Sequence, residues 1–537
     1  MEGKEIEIEM KNPYLFLLLG FLIVVLYFEL NVTINNPIAF GDEGFHTYVA
    51  KLIASQVEYP KWESFYSTPI YLQGFERPPM FNLFEASFYF IFGFSETIVK
   101  VLLPVLSFFI GLGAFLIFKR LYSDQVGVIA AIILVAIPAI TTYSVLFYVD
   151  TFLVFWFLFA IGFFLLAIKE EKRKYLIFSG VFSAFAILTK NTGYVLFIFY
   201  GLYFLYELFK ERKLVSLIKK YLPLAVMLAL VLGPFYLRNY VFYKTPLCGL
   251  PYVFTSEKCN IQIQYTNKED FVQGSGTNGS GEDVYQFGIM NYFQFAYGSV
   301  WLVPLFFVVG IIFVLFRRDK LDFAIIIFLL ASSFIFYLTY KGRAEDASRY
   351  TLFAIPVIAL ITGIYFEAII SILKKYFKYF GILFLVLILI ASYYNFSTKI
   401  SAMPQVKQFS PLFFDACNWV KANLPQNARL LSLYGHPTIY NCQRNATWEL
   451  IDLPDMILSN DRNLTVQRLD ANGINYIFIQ KFAISQTAYR QSYPVSFIAF
   501  LEQNPQTFKK VFENGPDYNS CLQSGGCDGT AIYQVIS

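Results

Sequence analysis

The chain has 537 residues, of which 57% are hydrophobic, 20% aromatic and 15% charged. Soluble domains carry about 25% charged residues, so the chain is poor in charge for a wholly soluble protein. The formal net charge of +4 is spread over short loops rather than gathered in a patch, which gives no ground for a nucleic-acid partner.

Long apolar runs recur from Pro13 to Tyr394, the pattern of a polytopic α-helical membrane protein. Met1 to Lys11 is charged, and the run after it lacks a small-residue cleavage pattern, so it reads as a first span over Pro13 to Leu30 rather than a removable leader. An external loop over 31–96 follows. Its two short amphipathic stretches, Glu43 to Ile53 and Pro79 to Phe92, fall short of the ~20 helical residues a crossing needs and are expected on the membrane surface. The second span ends at Lys119-Arg120, and the third and fourth flank the polar stretch Thr141 to Asp150. Tyr175 to Phe209 would make a straight helix of ~50 Å, too long for one crossing. It must turn, and Lys190-Asn191-Thr192-Gly193 is the turn, giving spans five and six. Further spans end near Arg238, Arg317, Tyr340, Lys374 and Tyr394, about eleven in all. Beyond Ser401 the apolar runs stop, and helix- and strand-like segments mix as in a small α/β domain over 401–537.

Basic clusters alternate with less basic loops, which puts the amino terminus in the cytoplasm and the C-terminal domain outside. All six cysteines (Cys248, Cys259, Cys417, Cys442, Cys521 and Cys527) fall in segments placed outside, and an even count suits disulfides in an oxidising space. Cys248–Cys259 and Cys521–Cys527 are the local pairs that spacing suggests. The Asn-x-Ser/Thr sites at Asn278, Asn445 and Asn463 lie on the same side.

Charged residues beside apolar runs must be solvated or paired. Asp42 and Glu43 open the first surface stretch, as a helix cap and its dipole partner or as an oriented catalytic acid pair. In Glu76-Arg77-Pro78-Pro79-Met80, the prolines suit a first helical turn, and Arg77 would hold a phosphate, or else pair with Glu76 or with lipid headgroups. Asp150 needs a polar cleft or a capping role, and Lys190 a partner or a path to water. Arg238 and the group Arg343, Glu345, Asp346, Arg349 and Tyr350 stand at other span ends. Arg77, Lys190, Arg238 and Arg349 share one predicted depth on one side, so an anionic substrate is the leading expectation. His46 and His436, the two histidines, lack metal-ligand spacing and are expected in structural or exposed roles. A phosphate-binding glycine loop is absent, so no nucleotide cofactor is expected.

In order along the chain, Gly41-Asp42-Glu43 with Tyr48 and Ala50, Glu76-Arg77-Pro78-Pro79-Met80, Asp150 with Leu153, Leu188-Thr189-Lys190, Leu237-Arg238-Asn239, and Arg349-Tyr350 with Pro356 resemble the GT-C class of membrane glycosyltransferases. The resemblance is to the branch of protein O-mannosyltransferases and lipid A aminoarabinose transferases. It implies a GT-C fold over 1–400, a polyprenyl-phosphate-linked sugar as donor, and single-sugar transfer to a protein, lipid or glycan hydroxyl in the cell membrane. The catalytic base then falls on Asp42, with Glu43 beside it, and the donor phosphate on Arg77; Lys190, Arg238, Arg349 and Tyr350, charged or polar groups on the same predicted side, are expected to assist it. Glu76 and Asp150 support the cleft. Some relatives carry lysine where Arg77 stands, and divalent cation use (Mg or Mn) varies among them. The C-terminal segment resembles the extracytoplasmic domains appended to such enzymes. The Trp-Trp-Asp motif of oligosaccharyltransferases is absent, which disfavours en bloc transfer to asparagine. A lipid-linked sugar flippase and a non-catalytic surface-assembly protein are the competing readings.

Overall fold

The computed structural model describes residues 13–38, 43–56, 78–243, 302–317, 319–339, 349, 352–377, 379–406, 410–447, 456, 461–485, 493–517, 520 and 527–536. In chain order the helices are α1 (Pro13–Asn35), α2 (Glu43–Gln56), α3 (Met80–Phe92), α4 (Glu96–Leu121), α5 (Asp124–Ala136), α6 (Pro138–Val145), α7 (Val149–Glu170), α8 (Arg173–Ile187), α9 (Val195–Glu211) and α10 (Leu214–Tyr243). They continue as α11 (Leu302–Arg317), α12 (Lys320–Thr339), α13 (Ile355–Leu373), α14 (Phe380–Val406), α15 (Pro411–Asn423), α16 (Gly435–Cys442), α17 (Arg462–Ala471) and α18 (Val495–Gln503). The chain divides into two compact units, one of residues 1–35, 100–238 and 283–404, the other of 36–99, 239–282 and 405–537.

The first unit is helical. Among the described residues seven helices are long and apolar enough to cross a membrane, and an eighth forms if the bent pair α5 and α6 is one span. That pair bends by 58° at Ile137. Pro138 has no N–H to continue the ladder and pushes the residue before it out of helical geometry, and Ile137 is extended at φ −65°, ψ 126°. The three remaining expected spans coincide with α8, α11 and α12, of which α8 and α11 have 15 and 16 residues. The predicted turn at Lys190 is present, since α8 stops at Ile187 and a 3-10 turn over Asn191–Tyr194 leads into α9.

Lipid offers no hydrophobic drive between helices, so close packing and buried hydrogen bonds hold such a unit together. A Cβ on Gly127 of α5 would stand 2.9 Å from the backbone N of Lys119 and from the carbonyl of Phe115. The α7–α8 hairpin interleaves aromatic rings, with Trp156 and Phe163 stacked on Phe182 at 5.7 and 5.5 Å between centroids. Tyr200 on α9 reaches Ser179 and Ser183 of α8 at 2.9 and 2.6 Å. Glu29, buried in α1, accepts from Ser107 of α4 and Ser144 of α6.

The second unit is α/β. Its sheet, β1 (Arg429–Leu431), β2 (Asn445–Thr447), β3 (Tyr476–Gln480), β6 (Phe508–Asn514) and β7 (Thr530–Val535), has the order β2-β1-β3-β7-β6. A two-residue pair, β4 (Ile484–Ser485) and β5 (Tyr493–Pro494), stands apart from it. β1 runs parallel to β2 and β3, whereas β7 is antiparallel to β3 and β6. All five residues of β3 are buried, as a central strand covered on both faces requires. Cys417 and Cys442 are disulfide-bonded, joining α15 to α16, and Cys527 is also disulfide-bonded. Cys248, Cys259 and Cys521 lie outside the described residues. In this unit α2 packs on α3 and on α16.

Candidate active site

Three of the expected site residues meet in the helical unit. Asp150 lies in the first turn of α7, where the helix dipole favours an anion. It does not cap the helix: Tyr148 holds the N-cap position in extended conformation, without a side-chain cap. The carboxylate is instead wholly buried between two cations. Lys190 Nζ donates to Oδ1 at 2.6 Å and Arg349 Nε donates to Oδ2 at 2.6 Å. Their side chains are 14% and 17% exposed, so Lys190 is paired rather than stretched toward water. The Arg349 guanidinium also rests over the Tyr148 ring, 4.4 Å from its centroid, and Tyr148 stacks on Tyr143.

The turn that delivers Lys190 is fixed by close contact. Lys190 is extended, and the Gly193 N–H donates to its carbonyl at 2.8 Å. A Cβ on Gly193 would stand 2.6 Å from Ile187 Cα, so the turn packs backbone to backbone. The Tyr194 hydroxyl meets that of Tyr236 on α10, tying that helix to the turn two residues before Arg238. Arg238 itself is half-buried. At the other end of α7, ~30 Å along its axis, Glu170 pairs with Arg120 and Lys172. Lys220–Glu207 and Arg317–Asp322 pairs mark the ends of neighbouring helices in the same unit.

Asp42, Glu76, Arg77 and Tyr350 lie outside the described residues. Glu43 is buried at the start of α2 in the second unit, its carbonyl accepting from the Thr47 hydroxyl. His46 is buried one turn further on, with Nδ1 2.8 Å from Asn82 Oδ1 and its ring edge-on to Phe81, a structural role. The His436 side chain lies outside the described residues.

Sequence reasoning passed over two titratable groups beside these. Glu85 of α3 is fully buried, and neither carboxyl oxygen completes a well-formed hydrogen bond. Desolvation holds its pKa well above the ordinary carboxylate range, against the opposing pull of the Thr47 and Tyr89 hydroxyls and the Lys51 ammonium. Lys51 is pushed down by burial, with Glu96 and Glu85 acting in the other direction. The signal available in sequence was a carboxylate inside the apolar stretch Phe84-Glu85-Ala86-Ser87-Phe88. Among the described residues no three His, Cys, Asp or Glu side chains converge as a metal-binding set.

Residues 76–236 match the family of dolichyl-phosphate-mannose-protein mannosyltransferases. Among solved structures the chain is similar to the oligosaccharyltransferase AglB from Archaeoglobus fulgidus in complex with an inhibitory peptide and a dolichol-phosphate. The TM-score is 0.62 at 16% identity, over 86% of this chain and 69% of that one. It is similar to ArnT from Cupriavidus metallidurans bound to undecaprenyl phosphate, with a TM-score of 0.60 at 13% identity over 98% of each chain. The Archaeoglobus enzyme has also been solved with zinc and sulfate. No curated protein matches the chain in sequence. The fold is that of the GT-C membrane glycosyltransferases. Among the described residues, seven helices long and apolar enough to cross a membrane fit that fold.

Proposed function

We propose that the protein moves a single sugar from a polyprenyl-phosphate donor to an acceptor hydroxyl, with inversion at the anomeric carbon. The Asp150–Lys190–Arg349 cluster carries this reading: two cations gathered on one buried carboxylate at one end of the membrane-crossing helices. Two positive charges against one negative leave one net positive charge, suited to a donor phosphodiester and better suited to the phosphate monoester that departs. Charge that develops only as the bond breaks is where fixed cations accelerate a reaction. The match of residues 76–236, and the likeness to enzymes solved with dolichol-phosphate and undecaprenyl phosphate, support the choice of donor.

In the reaction we infer, the acceptor oxygen attacks the anomeric carbon as the bond from that carbon to the phosphate oxygen breaks. The electron pair leaves with the polyprenyl phosphate, and the hydroxyl proton passes to Asp42, with Glu43 beside it. Lys190 and Arg349 hold the phosphate with Arg77, Arg238 and Tyr350, while Asp150 and Glu76 fix the cations. The catalytic machinery belongs to residues 1–400, and 401–537 form an extracytoplasmic domain that handles the acceptor. The Cys417–Cys442 disulfide supports an oxidising location for that domain.

The test is incubation of the purified protein in lipid nanodiscs with a panel of polyprenyl-phosphate sugars, with mass analysis of lipid, protein and glycan acceptors. Asp42→Asn is expected to fold and to form no product. Wild-type turnover in that variant removes Asp42 from the mechanism.

A further inference from the structure

The second unit contains a cavity of about 450 Å³ bounded by α2, by α16 and by the start of β2, within the ~300–1,000 Å³ range of small-ligand sites. Its wall is mixed. Tyr48, Phe94 and Tyr440 supply aromatic surface, and Ser55, Gln426, Gln443 and Asn445 supply hydroxyl and amide groups. Two cations line it, Lys51 and Arg444, and they are engaged very differently. Arg444 donates to the carbonyls of Lys421, Leu424, Pro425 and Gln443 at 2.7–3.1 Å, so its guanidinium is consumed by backbone. Lys51 Nζ makes no ion pair or hydrogen bond among the described residues; it lies 4.7 Å from the centroid of the Tyr440 ring and 5.9 Å from that of Tyr89.

The surroundings hold this arrangement open. The Tyr440 hydroxyl donates to Glu96 at 2.7 Å, which fixes the ring beneath the ammonium. Gln443 ends α16 in the left-handed region at φ 53°, where glycine is favoured, and its side chain makes no hydrogen bond among the described residues. A half-buried ammonium with no anion in direct contact is costly, and a ligand that brings one removes that cost. Ring faces beside amides and hydroxyls suit a sugar ring, which offers C–H surface on one side and hydroxyls around its edge.

We propose that this cavity binds the acceptor: a saccharide bearing a carboxylate or another acidic substituent, with the acid on Lys51 and the sugar ring against Tyr440 and Tyr48. The acceptor role rests on the glycosyl-transfer reading above; binding itself does not. The test is saturation-transfer NMR on the full-length protein in nanodiscs, with glucuronate, glucose and acetate as probes. Glucuronate is expected to bind about tenfold more tightly than glucose, the worth of one charge-assisted hydrogen bond. Lys51→Gln should bring glucuronate down to the level of glucose, and Lys51→Arg should retain most of the difference. Equal binding of glucose and glucuronate by the wild type overturns the role of Lys51. Acetate binding as tightly as glucuronate reduces the site to an anion pocket and overturns the saccharide. No binding of any probe by the folded wild type overturns the site. An inactive Asp42→Asn variant that still binds glucuronate separates this proposal from the reaction chemistry.

Discussion

Replacing Asp150 with asparagine keeps the side-chain volume and removes the charge that two cations share. Each carboxylate oxygen carries one of them at 2.6 Å, and the carboxylate itself has no exposure. The substituted amide could accept one hydrogen bond through its carbonyl, but its NH2 group would point N–H donors at the other cation. Removing one partner of a buried ion pair costs about 3–5 kcal/mol because a buried charge is left uncompensated. With melting shifts of about 2 °C per kcal/mol for a large domain, Asp150→Asn is expected to melt roughly 6–10 °C below wild type in nanodiscs. The double variant Asp150→Asn with Lys190→Met removes one stranded cation and should recover part of the loss, a coupling of about 0.5–3 kcal/mol. Static light scattering with intrinsic fluorescence on heating measures wild type, both single variants and the double variant. If the single variant melts within about 1 °C of wild type, or if the double variant loses stability additively, the carboxylate does not hold the cluster and the reasoning fails.

Other outcomes follow from the same geometry. Lys190→Met or Arg349→Met should lower transfer by about 10²–10³-fold, the usual cost of one charge-stabilising group, read as initial rates with saturating donor. Gly193→Ala should cut activity without touching substrate, because its Cβ would stand 2.6 Å from Ile187 Cα and push the Lys190 turn outward; unchanged rates would contradict that placement. Glu85 has a folded pKa raised above its ordinary 4.5, so the folded protein keeps a proton that the unfolded chain gives up. The stability this contributes is complete below about pH 4.5 and falls by up to about 1.4 kcal/mol per pH unit as the pH climbs toward the raised value. Melting curves from pH 5 to 8 should therefore decline more steeply for wild type than for Glu85→Gln, and parallel curves would show that Glu85 ionises normally. Cys417→Ser opens a bridge across 25 residues and should cost about 3 kcal/mol, measured by denaturant unfolding of the second unit.

Much of the molecule was legible from residue order. Apolar runs report burial or lipid directly, so the spans, the short helices at Glu43 and Met80 and the turn before Gly193 followed from length and hydropathy alone. The mixed helix- and strand-like pattern beyond Ser401 was visible for the same reason, and strands do form there at Arg429–Leu431 and Tyr476–Gln480: local pattern and local backbone geometry are one property. Pairing is different, because it depends on contacts between residues far apart in the chain. Asp150 read equally well as a helix cap, and only the folded bundle brings Arg349, 199 residues away, to its second oxygen. Glu85 drew no reading from sequence, and it is buried because α2 packs against its helix and takes away its water. Composition and order determined that this chain enters a membrane and places charge at helix ends; the tertiary structure alone decided which charges neutralise one another, since electrostatic energy depends on distance in space and the dielectric between groups rather than on their separation along the chain.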